Sequence, residues 1–223
     1  MKEVNKEVDI FYESSKGKAV ALALQNLVTS FWGKIKEERI LVIGYADILA
    51  DILPKTASKY ERGALNASNI QAILPFSDCS FDKILILHAL EYVGDETAFI
   101  RELWRITEDG GKILFIVPNR RGIWLVGEST PFAKGRPYSI SQLSRLLNDN
   151  MLLPLRADKA LLLPSAIYGN YIARRERKLA KIFTLGAGAL ALEAQKNMYA
   201  GTKEFSPSAL FKKKIANPTS ELF

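Results

Sequence analysis

Three short runs, RILVIG (Arg39–Gly44), KILIL (Lys83–Leu87) and KILFIVP (Lys112–Pro118), are almost wholly apolar and rich in branched side chains. Runs this short, with no polar face, and in two cases closed by glycine or proline, fit parallel strands covered on both sides. Helical spacing fills the chain around them. Asp95–Thr107 puts Phe99, Leu103 and Ile106 on one face, and Lys16–Ile35 does the same with Val20, Leu24, Leu27 and Phe31. Strands alternating with helices at this interval predict an α/β fold on a doubly wound, mostly parallel sheet.

The intervening chain completes the expected order. A short helix over Ala46–Leu53 stops at Pro54, Ala57–Ala64 reads as a weak strand, and Ile70–Leu74 as another. EDGG (Glu108–Gly111) reads as a turn, and Asn119–Tyr138 as a long loop rich in glycine and cations. Ser139–Asn150 is expected to be helical, with Leu143, Leu146 and Leu147 inward. Leu152–Leu163 is an apolar strand interrupted by RADK, Ala166–Ile182 a basic amphipathic helix, and Gly186–Glu193 a last apolar strand. Residues 1–197 are therefore expected to form one domain, and 198–223 a basic, disordered tail.

Composition excludes several classes. With one cysteine, Cys79, and one histidine, His88, in 223 residues, neither an internal disulfide nor a Cys/His zinc cage can form. The uncharged stretch Ala19–Gly33 is broken by Gln25, Asn26, Thr29 and Ser30, so no transmembrane span is expected. The opening MKEVNKEVDIFYESSKGK mixes acids with lysines, unlike a signal or transit peptide, and the expectation is a cytoplasmic protein. No HExxH, GxSxG or GxxxxGK[ST] occurs, which leaves metalloprotease, hydrolase and P-loop readings without support. The net charge of +7 comes almost entirely from the last quarter, in RRERKLAK and FKKK, while the body is nearly balanced. A nucleic-acid partner is not expected from that distribution; the basic helix reads first as a solvated face, with docking on an anionic surface as the alternative.

Four segments in order carry a more specific signal: RILVIGYAD, LPFSDCSFD, LILHALEYV and ELWRITEDGGKILFIVPN. Together they resemble the class I S-adenosylmethionine-dependent methyltransferases, in particular the broad group acting on small molecules, over about Tyr12–Lys196. The resemblance implies a seven-stranded sheet with the last strand antiparallel, and S-adenosylmethionine as cofactor. It implies cofactor contacts from Gly44, Tyr45, Ala46, Glu61, Leu74, Leu87 and His88. Gly44 is where the turn after the first strand needs a residue without bulk. The loop continues Tyr45, Ala46, Asp47 where the family usually has further glycines. The acidic residue that usually precedes LPF by four positions is replaced by Ile70, followed by Gln71.

His88 is the candidate catalytic base or acceptor-positioning group, since an imidazole titrates near neutrality; a packing role at a strand end is the alternative. Beyond the same edge, Asn119, Arg120, Arg121, Arg136 and Tyr138 are the candidate acceptor contacts, with Lys134, Trp124 and Phe132 interleaved. Guanidinium forks beside aromatic rings suit a small anionic or aromatic acceptor. No metal ligand set is expected, and Cys79 is expected only to fill a loop position. The expected activity is methyl transfer to a small molecule. A methyltransferase-like scaffold without catalysis is the alternative from another class, and RNA methylation a third.

Overall fold

The computed structural model describes residues 2–35, 38–61, 73–125, 130–179 and 186–197. Two helices, α1 (Lys2–Glu13) and α2 (Ser15–Trp32), precede strand β1 (Ile40–Gly44), and β2 (Ser58–Glu61) and β3 (Phe81–Leu87) follow. Next come α3 (Glu96–Ile106), β4 (Thr107–Pro118), α4 (Ile140–Asn148), β5 (Leu152–Ala160), α5 (Asn170–Leu179) and β6 (Ala189–Lys196). The sheet among these residues has six strands in the order β2-β1-β3-β4-β6-β5, and β6 runs antiparallel to both its neighbours.

Six rather than seven strands are thus seen. Of the strand expected at Ile70–Leu74, residues 70–72 lie outside the described residues, and Ile73 and Leu74 are not in a strand. The helix expected over Ala46–Leu53 is a single 3-10 turn at Asp47–Leu49. EDGG is the amino end of β4, not a turn before it, and RADK lies within a continuous β5 whose register shifts between Pro154 and Arg156. The basic helix begins at Asn170, after a separate 3-10 turn at Ser165–Ile167, and residues 180–182 of the expected helix lie outside the described set. So do residues 198–223, expected as a disordered tail.

The apolar runs separate by alternation into two cores. Val42, Leu85, Leu87, Leu114 and Ile116 face α1, α2 and α5. Leu41, Ile43, Ile84, Ile86 and Phe115 face α3 and α4. Because both faces are covered, no strand needs a polar side, which is why the runs look continuous in sequence. Helix ends are fixed locally: Ser14, Asp95 and Ser139 accept amide hydrogens at the starts of α2, α3 and α4, the last in a reciprocal box with Gln142. At the α1–α2 elbow a Cβ on Gly17 would lie 1.9 Å from the Phe11 carbonyl oxygen, so only glycine lets α1 fold back. Among the described residues no helix is long and apolar enough to cross a membrane.

Candidate functional site

The carboxyl ends of β1, β2 and β3 lie side by side: Gly44 pairs in register with Glu61 on one side and Leu87 on the other. Open α/β sheets bind ligands at this edge. Gly44 has φ +110°, and a Cβ there would stand 1.8 Å from the Leu87 carbonyl oxygen, which also accepts the Tyr45 amide at 3.0 Å. Glycine at this point is therefore demanded first by the close approach of two backbones.

Just past Leu87 the chain turns sharply, with His88 at φ +53°, a left-handed conformation few non-glycine residues adopt. The turn drives the imidazole inward. Its Nε2 lies 2.8 Å from the Tyr12 hydroxyl, and its Nδ1 lies 3.2 Å from Glu91 Oε1. The His88 and Glu91 side chains are fully buried, and Glu91 Oε2 has no hydrogen-bond partner among the described residues. Phe132 meets the imidazole edge-on at 4.7 Å, and Tyr45 stacks on Tyr12 at 5.1 Å. Burial pushes the Tyr12 hydroxyl pKa well up, so it is a neutral donor. Burial, followed by a hydrogen bond to Asp9, pushes Tyr45 up as well.

The structure therefore gathers Gly44, Tyr45, Leu87 and His88 at one place, with Glu61 beside them in the strand register. Ala46 follows in the same loop, itself buried. Leu74 stands apart: its side chain is in the core on the α3 side, and its amide donates to Glu102 Oε2 at 3.0 Å. Ile70 and Gln71 lie outside the described residues.

Among its described residues, the segment after β4 reaches this site through Phe132 and is bonded within itself, the Arg120 amide donating to the Tyr138 carbonyl at 2.8 Å. Its 3-10 turns at Ile123–Leu125 and Pro131–Ala133 bury Trp124 and Phe132. Asn119 is buried and donates from Nδ2 to the Ala187 carbonyl at 2.7 Å. Tyr138 is buried and donates to Glu96 at 2.6 Å, and burial, then Glu96, pushes its pKa up. Lys134 is ion-paired with Glu7, and Arg136 with Glu96. Of the expected acceptor contacts, Arg120 and Arg121 stand exposed at the surface.

Two members of the buried cluster, Tyr12 and Glu91, were not legible as functional. Glu91 carries a weak signal in the HALE spacing, which puts a carboxylate three residues after the histidine. Tyr12 carries none, because nothing local links α1 to the end of β3.

The opposite, amino edge of the sheet holds a groove of about 580 Å³ lined by Arg39, Lys55, Ser58 and Phe81 among others. Cys79, Glu108 and Asp109 also converge there, but Arg39 pairs with Glu108 and Lys196 with Asp109, so cations already neutralise the acids.

Residues 40–115 match the family model of the methyltransferase domain. Malonyl-[acyl-carrier protein] O-methyltransferase of Erwinia billingiae is 33% identical over 69 residues, 31% of this chain and 27% of that protein. The chain thus matches about a quarter of that relative's length. A Thermotoga maritima S-adenosylmethionine-dependent methyltransferase, described as a possible histamine N-methyltransferase, superposes with TM-score 0.59 at 15% identity, covering 88% of this chain and all of that one. An Aquifex aeolicus S-adenosylmethionine-dependent methyltransferase gives 0.55 at 13% identity, covering 87% and 97%. The six-stranded sheet with its antiparallel β6 is the class I methyltransferase fold, and S-adenosylmethionine is the cofactor these similarities support.

Proposed function

We infer that this chain, whose residues 40–115 match the methyltransferase domain model, transfers a methyl group from S-adenosylmethionine to a small-molecule acceptor. The observation that supports it most is the register setting Glu61, Gly44 and Leu87 side by side at the carboxyl edge of the sheet. We assign the cofactor to this edge on the strand register and the residue types that meet there. Glu61 ends β2 beside Gly44, where a carboxylate would accept both ribose hydroxyls, and the Gly44–Ala46 backbone would lie along the amino-acid portion. Leu87 and His88 would form the floor near the reacting end.

When bound, the cofactor supplies a methyl group on a cationic sulfur, ready for in-line displacement. The protein's part is alignment, exclusion of water and handling of the acceptor's proton. Arg120 and Arg121, exposed at the same edge, would take an anionic group of the acceptor through paired N–H donors. The test is calorimetry with S-adenosylhomocysteine on the wild type and Glu61→Gln. Binding in the wild type that weakens at least tenfold in the variant supports the site, and equal affinity in both removes Glu61 from it.

A second reading, a non-catalytic scaffold on the same fold, is favoured by one observation: His88, with Tyr12 and Phe132 against its ring, has no exposure at all. Absence of S-adenosylhomocysteine binding at millimolar concentration would select it.

A further inference from the structure

The buried cluster under Phe132 contains more chemistry than packing requires. Glu91 is a carboxylate with a fully buried side chain, one oxygen facing an imidazole and the other without a partner. Leaving such an oxygen unsatisfied is costly unless the group has a task. The backbone holds Glu91 in place from several sides. Its carbonyl accepts the Arg136 amide at 2.9 Å, and Gly135 passes so close that a Cβ there would come within 2.8 Å of Glu91 Cγ.

We propose that Tyr12, His88 and Glu91 form a proton relay, with Tyr12 the member that meets the acceptor and Glu91 the residue that positions the imidazole. The relay serves an acceptor that attacks through a hydroxyl or an amine, because a carboxylate acceptor is already ionised and needs no base. This rests on the methyltransferase reading and specifies its substrate class.

The geometry sets the direction. Glu91 Oε1 takes the Nδ1–H of a neutral His88, so Nε2 carries the lone pair and accepts the Tyr12 O–H. Tyr12 is the one member of the three that stacks on Tyr45 of the loop after β1, and Glu91 lies on the far side of the imidazole, so the tyrosine is the end of the relay nearer the cofactor edge. As the acceptor's X–H bond breaks, its proton goes to Tyr12 Oη while the Tyr12 proton goes to His88 Nε2. The electron pair left on the acceptor atom is the nucleophile. The resulting imidazolium is held by the Glu91 carboxylate until the product leaves, and its proton then departs by the reverse path through Tyr12 Oη. The other ionisable groups around the cluster are the phenols of Tyr45 and Tyr92, which face Tyr12, and of Tyr138, which faces Glu91. The nearby Arg136 side chain is engaged by Glu96.

His88 is the only histidine in the chain, so its ring nitrogens can be read directly in the full-length, ¹⁵N-histidine-labelled protein. Long-range ¹H–¹⁵N spectra should show a ring protonated on Nδ1, with Nε2 as a hydrogen-bond acceptor. In Tyr12→Phe the Nε2 signal should move to that of an unbonded nitrogen with Nδ1–H unchanged. In Glu91→Gln the Nδ1–H signal should move upfield, because a charged acceptor has been replaced by a neutral amide. A ring protonated on Nε2 would overturn the relay, as would an Nε2 signal that Tyr12→Phe leaves unchanged, as expected of a merely packed imidazole. An Nδ1–H signal indifferent to Glu91→Gln would remove Glu91 from it. S-adenosylhomocysteine calorimetry on the same samples separates the two levels: failure of wild-type binding overturns the methyltransferase reading and the acceptor assignment with it, whatever the ring shows.

Discussion

Gly44 shows how one residue can be recognised for one reason and required for another. The sequence marks it as the glycine a ligand-facing turn needs, and the structure adds that the Leu87 carbonyl occupies the direction in which a side chain would grow. Gly44→Ala should therefore destabilise the fold itself by about 3 kcal/mol, from unfavourable φ and backbone displacement together. Urea denaturation would show a lowered midpoint, and an unchanged midpoint would mean that the two strand ends are not held so close. His88 was legible as a special position because it ends an apolar run at the ligand edge. What it touches was not, since Tyr12 lies 76 positions away in sequence.

At the scale of elements, strands were legible where both faces are apolar, and their ends were not. Glu108–Gly111 reads as a turn, yet it lies at the amino end of β4, because a strand end with Asp109 and Gly110 exposed can be polar and still extended. Helix α1 went unread because most of its residues are polar and only Val8 and Tyr12 are described as buried. Deleting residues 2–13 would remove both, along with the Glu7–Lys134 ion pair. Hydrogen exchange should then accelerate at the Ala133 amide, which bonds Thr130 in the turn carrying Phe132; protection unchanged there would show that the turn does not depend on α1.

Helix α3 offers a second check. Arg105 donates to Glu102 and holds its carboxyl below the ordinary glutamate range, assisted by the Leu74 amide. A carboxyl depressed in the folded state stabilises the protein above its unfolded pKa, and that stability is lost as pH falls through the lower folded value. Acid should thus weaken the fold in this window, and Arg105→Met should flatten the dependence in denaturation curves taken at successive pH values; identical slopes would contradict the assignment.

For the whole molecule, occupancy of the carboxyl-edge site should appear as stability. S-adenosylhomocysteine at a hundred times its dissociation constant should add about 2.7 kcal/mol to unfolding, with a midpoint that rises with ligand concentration. A midpoint independent of concentration would exclude a site in the folded state. The position of β6 bears on how such a molecule is made. This strand is the last of the described elements, yet it lies inside the sheet, joined to β4 from Lys112 to Pro118 and to β5 from Leu152 to Ala160. While the chain emerges from the ribosome, β4 and β5 each present an edge of unpaired backbone groups until residue 196 has been synthesised. Completion of the sheet is therefore a late event that closes long loops, which slows folding and gives chaperones a defined interval in which to act.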